Sequence, residues 1–319
     1  MDSGQTRFEP PPRTRTEEGR PRHVGFELEF KGLSLETTAR IVRDLFGGKL
    51  EQKDRSVWTV TGTRYGDFRV ELDWWLLKAH TLGEHVGGLG GEVVDKIEDV
   101  LFEAARPIVP FEIVTPPFPL ERLSEVERLR AVLHVHDVHG TRSRPSYCLG
   151  LHINPEAPSH DADDILAHLR AFILLHGRIM QERHTDPVRR IWPYIDPYPV
   201  EYQYKVLHPD YAPDLGTLFD DYLAYNPTRN RALDLLPLFA HIDPDHVEPR
   251  LTQAQVNARP TYHYRLPDCA IDDPHWRIAS EWNRWVAVER LALDPERMGR
   301  LAEERLGPLQ RLLAREEET

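Results

Sequence analysis

The chain has 319 residues, 40% hydrophobic and 29% charged, enough for one large or two medium domains with a substantial buried core. No run approaches the ~20 apolar residues that span a bilayer, the first residues lack the apolar core of an export signal, and two cysteines, Cys148 and Cys269, are too few for a disulfide framework or a thiolate zinc site. A formal charge of −12 argues against duplex nucleic acid as a partner, because such proteins neutralise phosphates with a basic face. A cytoplasmic protein is the expectation, with oligomeric state left open.

Residues 1–20 hold Pro10, Pro11 and Pro12 and several charges with almost no apolar periodicity, which reads as a disordered tail. Residues 21–319 read as one mixed α+β domain with a mainly antiparallel sheet packed by helices. Arg22–Lys31 (RHVGFELEFK) alternates with period two and predicts a strand. Glu36–Phe46 has helical spacing and stops at Gly47-Gly48. Strands are expected at Ser56–Thr61 and Asp67–Leu72, a helix over Gly91–Arg106, and a strand over Ile108–Val114 that the following prolines end. A helix over Leu120–Val138, a strand over Tyr147–Ile153 and a long helix over Asp161–Arg183 follow. Pro187–Pro213, rich in Pro and Tyr, carries no clear period. A last strand at Thr261–Leu266 precedes helices near Trp276–Leu293 and Pro295–Ala314.

Acids are unusual inside strands, which favour β-branched and aromatic residues, yet they recur here. Glu27 and Glu29 are two apart, so on a strand both carboxylates point to one face and Phe26, Leu28 and Phe30 to the other. Two neighbouring carboxylates repel unless a cation lies between them, and a hard divalent ion resolves the conflict. A solvated face of an alternating strand is the competing reading of this pair. The pattern repeats: Glu71 and Asp73 in FRVELD, Glu112 in FEIV, His152 and Asn154 in GLHINP, His263 and Arg265 in YHYRL. Carboxylates with imidazole make a divalent-metal set, and an arginine facing them binds phosphate or a developing anion.

Four of these patterns, in order, resemble the amidoligase family, a branch of the glutamine synthetase and glutamate–cysteine ligase superfamily. Gly25-Phe26-Glu27-Leu28-Glu29 resembles its opening G-x-E-x-E. Glu112-Ile113-Val114-Thr115-Pro116-Pro117 resembles its E-[IL]-V-[ST]-P-P element. Gly150-Leu151-His152-Ile153-Asn154 resembles G-x-H-x-[HN], and Thr261-Tyr262-His263-Tyr264-Arg265 resembles T-x-E-x-R. The resemblance implies a curved sheet of the glutamine-synthetase type, an amidoligase-like catalytic domain over residues 21–319, and ATP-dependent joining of a small-molecule or peptide carboxylate to an amine through an acyl phosphate. It implies Mg²⁺ or Mn²⁺ held by Glu27, Glu29, Asp73, Glu112, His152 and His263, with Glu71 competing with Asp73. Arg265 and Glu112 become the implied catalytic residues, and Asn154 and Arg265 nucleotide contacts. His263 departs from the family's usual glutamate, which removes one negative charge from a magnesium site. Two alternatives stay open: a nucleotide-independent metallohydrolase and a non-catalytic binder of nucleotide or acid.

Other signals rank lower. Arg229 and Arg231, in the polar turn NPTRNR, suit a nucleotide or carboxylate as well as a solvated loop. His134, His136 and His139 do not share one helix face. The glycine-rich segment at 83–91 lacks the phosphate-loop lysine and reads as a mobile active-site loop. Cys148 reads as a small buried residue, and the tyrosines of Trp192–Tyr211 as a pocket wall or as packing.

Overall fold

Strand β1 (His23–Phe30) alternates as expected: Val24, Phe26 and Leu28 are fully buried, while Glu27 and Glu29 face the other way. The computed structural model describes residues 7–72, 110–136, 138–141, 149–182, 196–250, 256–266 and 268–316. Among these, β1 is central to one open sheet with β2 (Lys49–Gln52), β3 (Val57–Thr63), β4 (Gly66–Leu72), β5 (Phe111–Val114), β6 (Phe118–Pro119), β7 (Leu151–Pro155), β8 (Leu233–Asp234) and β9 (His263–Leu266). The strand order is β2-β3-β4-β5-β1-β7-β9-β8, with β6 added at the start of β1. Every pairing is antiparallel.

Helix α1 (Leu35–Phe46) is capped by Ser34, whose hydroxyl accepts from the Thr37 N–H. It ends where predicted: Gly47 adopts φ 80°, and a side chain at Gly48 would meet the Thr61 carbonyl at 2.6 Å. Helices α2 (Ser124–Val135) and α3 (Ala162–Glu182) are shorter than their predicted spans, the first because Leu120–Arg122 forms a separate 3-10 turn. Helices α4 (Val200–Leu207), α5 (Leu215–Tyr225), α6 (Leu236–Ile242) and α7 (Pro244–Val247) occupy the stretch that periodicity left unassigned or unread. Helices α8 (Ile278–Ala292) and α9 (Pro295–Glu316) close the chain. No helix among the described residues is long and apolar enough to cross a membrane.

Period two also divides β9. Tyr262, just ahead of it, and Tyr264 turn to the helices, where Tyr264 lies 5.6 Å from the Trp285 ring and 5.7 Å from Phe172, while His263 and Arg265 take the opposite face. One face of the sheet is thus aromatic and covered, and the other carries the chemistry.

The structure differs from the sequence reading at residues 7–20. This stretch is strapped onto α8: Trp282 Nε1 donates to the Glu9 carbonyl at 2.8 Å, Asn283 Nδ2 to the Arg7 carbonyl at 2.9 Å, and the Glu9 N–H to Asn283 Oδ1 at 2.8 Å. Pro11 is buried, and Arg13 pairs with Asp164 of α3. Composition misleads here because the strap is held by hydrogen bonds to its backbone and by single contacts such as the buried Pro11, neither of which leaves an apolar period. The expected helix over 91–106 and the 83–91 segment lie outside the described residues.

Candidate active site

Register places the polar residues in two rows across the strands. Glu29 stands opposite Glu112, and Glu112 opposite Glu71. One pleat along, Glu27 stands opposite His152, and His152 opposite Arg265. Directly opposed residues share a face of the sheet, so the predicted acids, histidine and arginine do meet. The flanking Phe26, Leu28, Ile113, Leu151 and Ile153 fix this register, because a one-residue slip would bury the acids and expose five core side chains.

Glu27 is the hub. Its Oε1 accepts from Asn154 Nδ2 at 2.9 Å and Arg259 Nη2 at 3.3 Å. Its Oε2 faces His152 Nδ1 at 2.8 Å and His263 Nε2 at 3.8 Å. Burial works to raise the Glu27 pKa, but the His152 hydrogen bond and the Arg259 charge outweigh it and hold the carboxyl well below its usual range. Glu29 Oε2 accepts from the Gly150 N–H at 2.6 Å, and its Oε1 lies 3.6 Å from His152 Nε2. Two groups of potential metal ligands follow among the described residues, Glu27–His152–His263 and Glu29–Glu112–His152, each with its donor atoms within 4.8 Å of one another.

Gly150 shapes this cradle. A Cβ there would lie 3.0 Å from His152 Nε2, 3.1 Å from the Leu266 carbonyl and 3.4 Å from Glu29 Oε2. At the edge, β8 sets Asp234 opposite His263, with His263 Nδ1 at 3.3 Å from Asp234 Oδ2. Asp234 is fully buried; burial would raise its pKa, but His263, Arg229 and the Leu236 N–H hold it below the ordinary value. Burial pushes the His263 pKa down to about 3, against the pull of Asp234 and Glu27, so the ring is neutral near pH 7.

Arg265 Nη1 donates to the Arg229 carbonyl at 2.7 Å, while its buried Nε has no hydrogen-bond partner among the described residues. Arg229 leans on Asp234 at 3.4 Å. Arg231 does not join them: its guanidinium, buried, holds Asn226 Oδ1 at 2.9 Å and the Pro197 carbonyl at 2.6 Å. Glu71 pairs with Arg69 at 2.7 Å, and Asp73 and Cys148 lie outside the described residues. His134 bonds the Ile271 carbonyl rather than joining the other histidines, and Tyr198, Tyr202, Tyr222 and Tyr225 pack ring against ring.

Two members of the cluster escape period-two reasoning. Asp234 sits on a two-residue strand, and its one signal is an acid enclosed by the apolar run Ala232–Leu236. Arg259 precedes its strand and reaches in from a loop, bonding Asn154 Oδ1 at 3.0 Å as well as Glu27.

Clustered carboxylates and imidazoles backed by arginines define a site able to hold divalent ions and an anion bound to them. The chain belongs to the family described as putative amidoligase enzyme, whose match covers residues 20–287. It is therefore a ligase by family. No curated relative and no solved structure matches it.

Proposed function

We propose that the chain is an ATP-dependent carboxylate–amine ligase of glutamine-synthetase-like descent, working in the cytoplasm on small-molecule or peptide substrates. The observation that carries this reading is the convergence of Glu27, Glu29, Glu112 and His152 on one sheet face beside Arg265, within a chain of the amidoligase family. Divalent metal, Mg²⁺ or Mn²⁺, fits the two donor groups; when bound it would neutralise phosphate oxygens and draw the nucleotide onto this face.

The chain's own residues divide the remaining work. A substrate carboxylate oxygen attacks the γ-phosphorus, the bond to the β–γ bridging oxygen breaks, and ADP leaves. Arg265, whose Nε has no hydrogen-bond partner among the described residues, offsets the charge on the transferring phosphoryl group. The amine nitrogen then attacks the acyl carbon, phosphate departs, and the amine loses a proton to a base. Glu112 holds its place opposite Glu29 as a metal ligand, Asn154 fixes Glu27, and Arg229 supports Arg265 through its carbonyl. Arg231 is left out of the nucleotide contacts because its guanidinium is committed elsewhere.

Release of ADP that requires metal, an acid and an amine together tests the reading. Steady turnover without nucleotide would instead mark a metallohydrolase.

A further inference from the structure

On the helical side of the sheet, α3, α8, α9 and the strap line a cavity of about 380 Å³. Helical spacing gathers the side chains around it: Arg178, Ile179 and Glu182 share one face of α3, and Arg284, Ala287 and Leu291 share one face of α8. Trp285, the residue after Arg284, packs on Tyr264 from behind β9. The cavity and the Glu27 cluster therefore lie on opposite sides of the sheet.

Its wall is basic in an acidic chain. Arg178, Arg284, Arg290 and Arg297 face two carboxylates there, Glu9 and Glu182, although the formal charge of the whole chain is −12. Arg284 is the most enclosed of the four, its side chain 18% exposed. Its Nε and Nη1 are buried without a hydrogen-bond partner among the described residues. Glu182 stands 3.8 Å from Nε, and Glu281, 3.0 Å from Nη1, lies off the N–H directions. A buried guanidinium with unused N–H groups is destabilising until an acceptor reaches it.

The other arginines are open to recruitment. Arg290 pairs with Glu9 and Arg178 with Glu182, each at 2.6 Å, but both pairs are solvent-exposed and such pairs contribute little. Arg297, in the first turn of α9, pairs with no acid among the described residues. Ile179 and Leu291, both buried, add an apolar stretch to the wall. Arginines from three helices suit an anion with several acceptor oxygens, and a phosphate monoester offers three. We propose that this cavity binds a small organic phosphate, its phosphate group against Arg284 and Arg297 and its apolar body against Ile179 and Leu291. The site is separate from the catalytic face and does not rest on the ligase reading.

The test is calorimetric titration of the full chain with phenyl phosphate in excess chelator, which keeps metal away from the Glu27 cluster. Saturable one-to-one binding is expected, at least about fivefold tighter than that of inorganic phosphate because the ring reaches the apolar wall. Arg284→Gln should weaken it by about 10–100-fold. The exposed Arg297→Gln, which disturbs no packing, should weaken it by about threefold or more, and Glu182→Gln, which removes a competing acid, should tighten it by about threefold. Glu27→Gln/Glu29→Gln should bind phenyl phosphate as the parent does. Absence of binding at millimolar phenyl phosphate, or affinities unchanged by both Arg297→Gln and Glu182→Gln, would overturn the inference. Loss of binding in Glu27→Gln/Glu29→Gln would place the anion on the catalytic face and overturn it as well. Because neither metal nor nucleotide is present, these outcomes leave the ligase reading untouched.

Discussion

Arg22, just ahead of β1, and Glu289 of α8 form a bidentate ion pair with both side chains about 1% exposed. Trp285 Nε1 also donates to Glu289 at 2.7 Å, and Arg22 Nε to the Glu156 carbonyl at 2.8 Å. Removing one partner strands a buried charge, which costs about 3–5 kcal/mol. Arg22→Met should therefore lower the urea midpoint strongly with little change in slope. A midpoint within experimental error of the parent would show that the pair contributes nothing.

The strap at residues 7–20 gives a second stability prediction. Deleting residues 1–20 strips Trp282 Nε1, Asn283 and Arg22 of their acceptors in Glu9, Arg7 and Arg13. Buried donors left unpaired cost about 1–3 kcal/mol each. Thermal melts of the truncated chain should show a drop of at least about 5 °C, and an unchanged midpoint would return the stretch to the status of a loose tail.

His168 of α3 makes stability fall on the acid side. Burial lowers its pKa below 6.5, against Asp164 and Glu289, which raise it, and with help from Arg13. Its Nδ1 faces the Asp164 carbonyl at 2.7 Å, its Nε2 is buried without a hydrogen-bond partner among the described residues, and its ring stacks on Tyr262. A histidine with a depressed folded pKa binds its proton more readily unfolded, so its contribution is complete above pH 6.5 and is lost as pH falls below that value. Urea titrations between pH 7.5 and 5.5 should show a decline that is shallower in His168→Phe. Parallel profiles for the two proteins would assign the decline to other groups.

Arg265 should separate chemistry from metal binding. Arg265→Ala removes the guanidinium beside the Glu27–His152 row but no metal donor. Turnover should fall by about 10³-fold or more, while divalent-ion affinity stays within about threefold of the parent. A matched loss of metal affinity would make Arg265 a support of the cluster instead.

Much of the site was legible because β-pleating converts spacing of two into a shared face. Glu27 with Glu29, His152 with Asn154, and His263 with Arg265 each follow from that rule, and the register then brings the strands together. What escaped lies outside strand periodicity. Asp234 is on a strand too short to show a period, Arg259 reaches in from a loop, and Arg231, near Arg229 in sequence, turns to Asn226 and Pro197. Helix α6 escapes periodicity because Leu236, Pro237, Leu238, Phe239 and Ala240 are all buried, leaving little polar stripe to read, whereas α5 does carry a stripe in Leu218, Phe219, Tyr222 and Leu223. The strap was misread because hydrogen bonds from its backbone, invisible in composition, hold it in place.

The most direct measurement is calorimetric titration of ATP, in excess Mg²⁺ or Mn²⁺, into the intact chain and into Glu27→Gln/Glu29→Gln. Metal-dependent binding in the intact protein that vanishes in the double variant is the predicted result, because those two carboxylates belong to the two donor groups. Absence of ATP binding with either metal, or equal binding by the variant, would contradict a nucleotide site on this face.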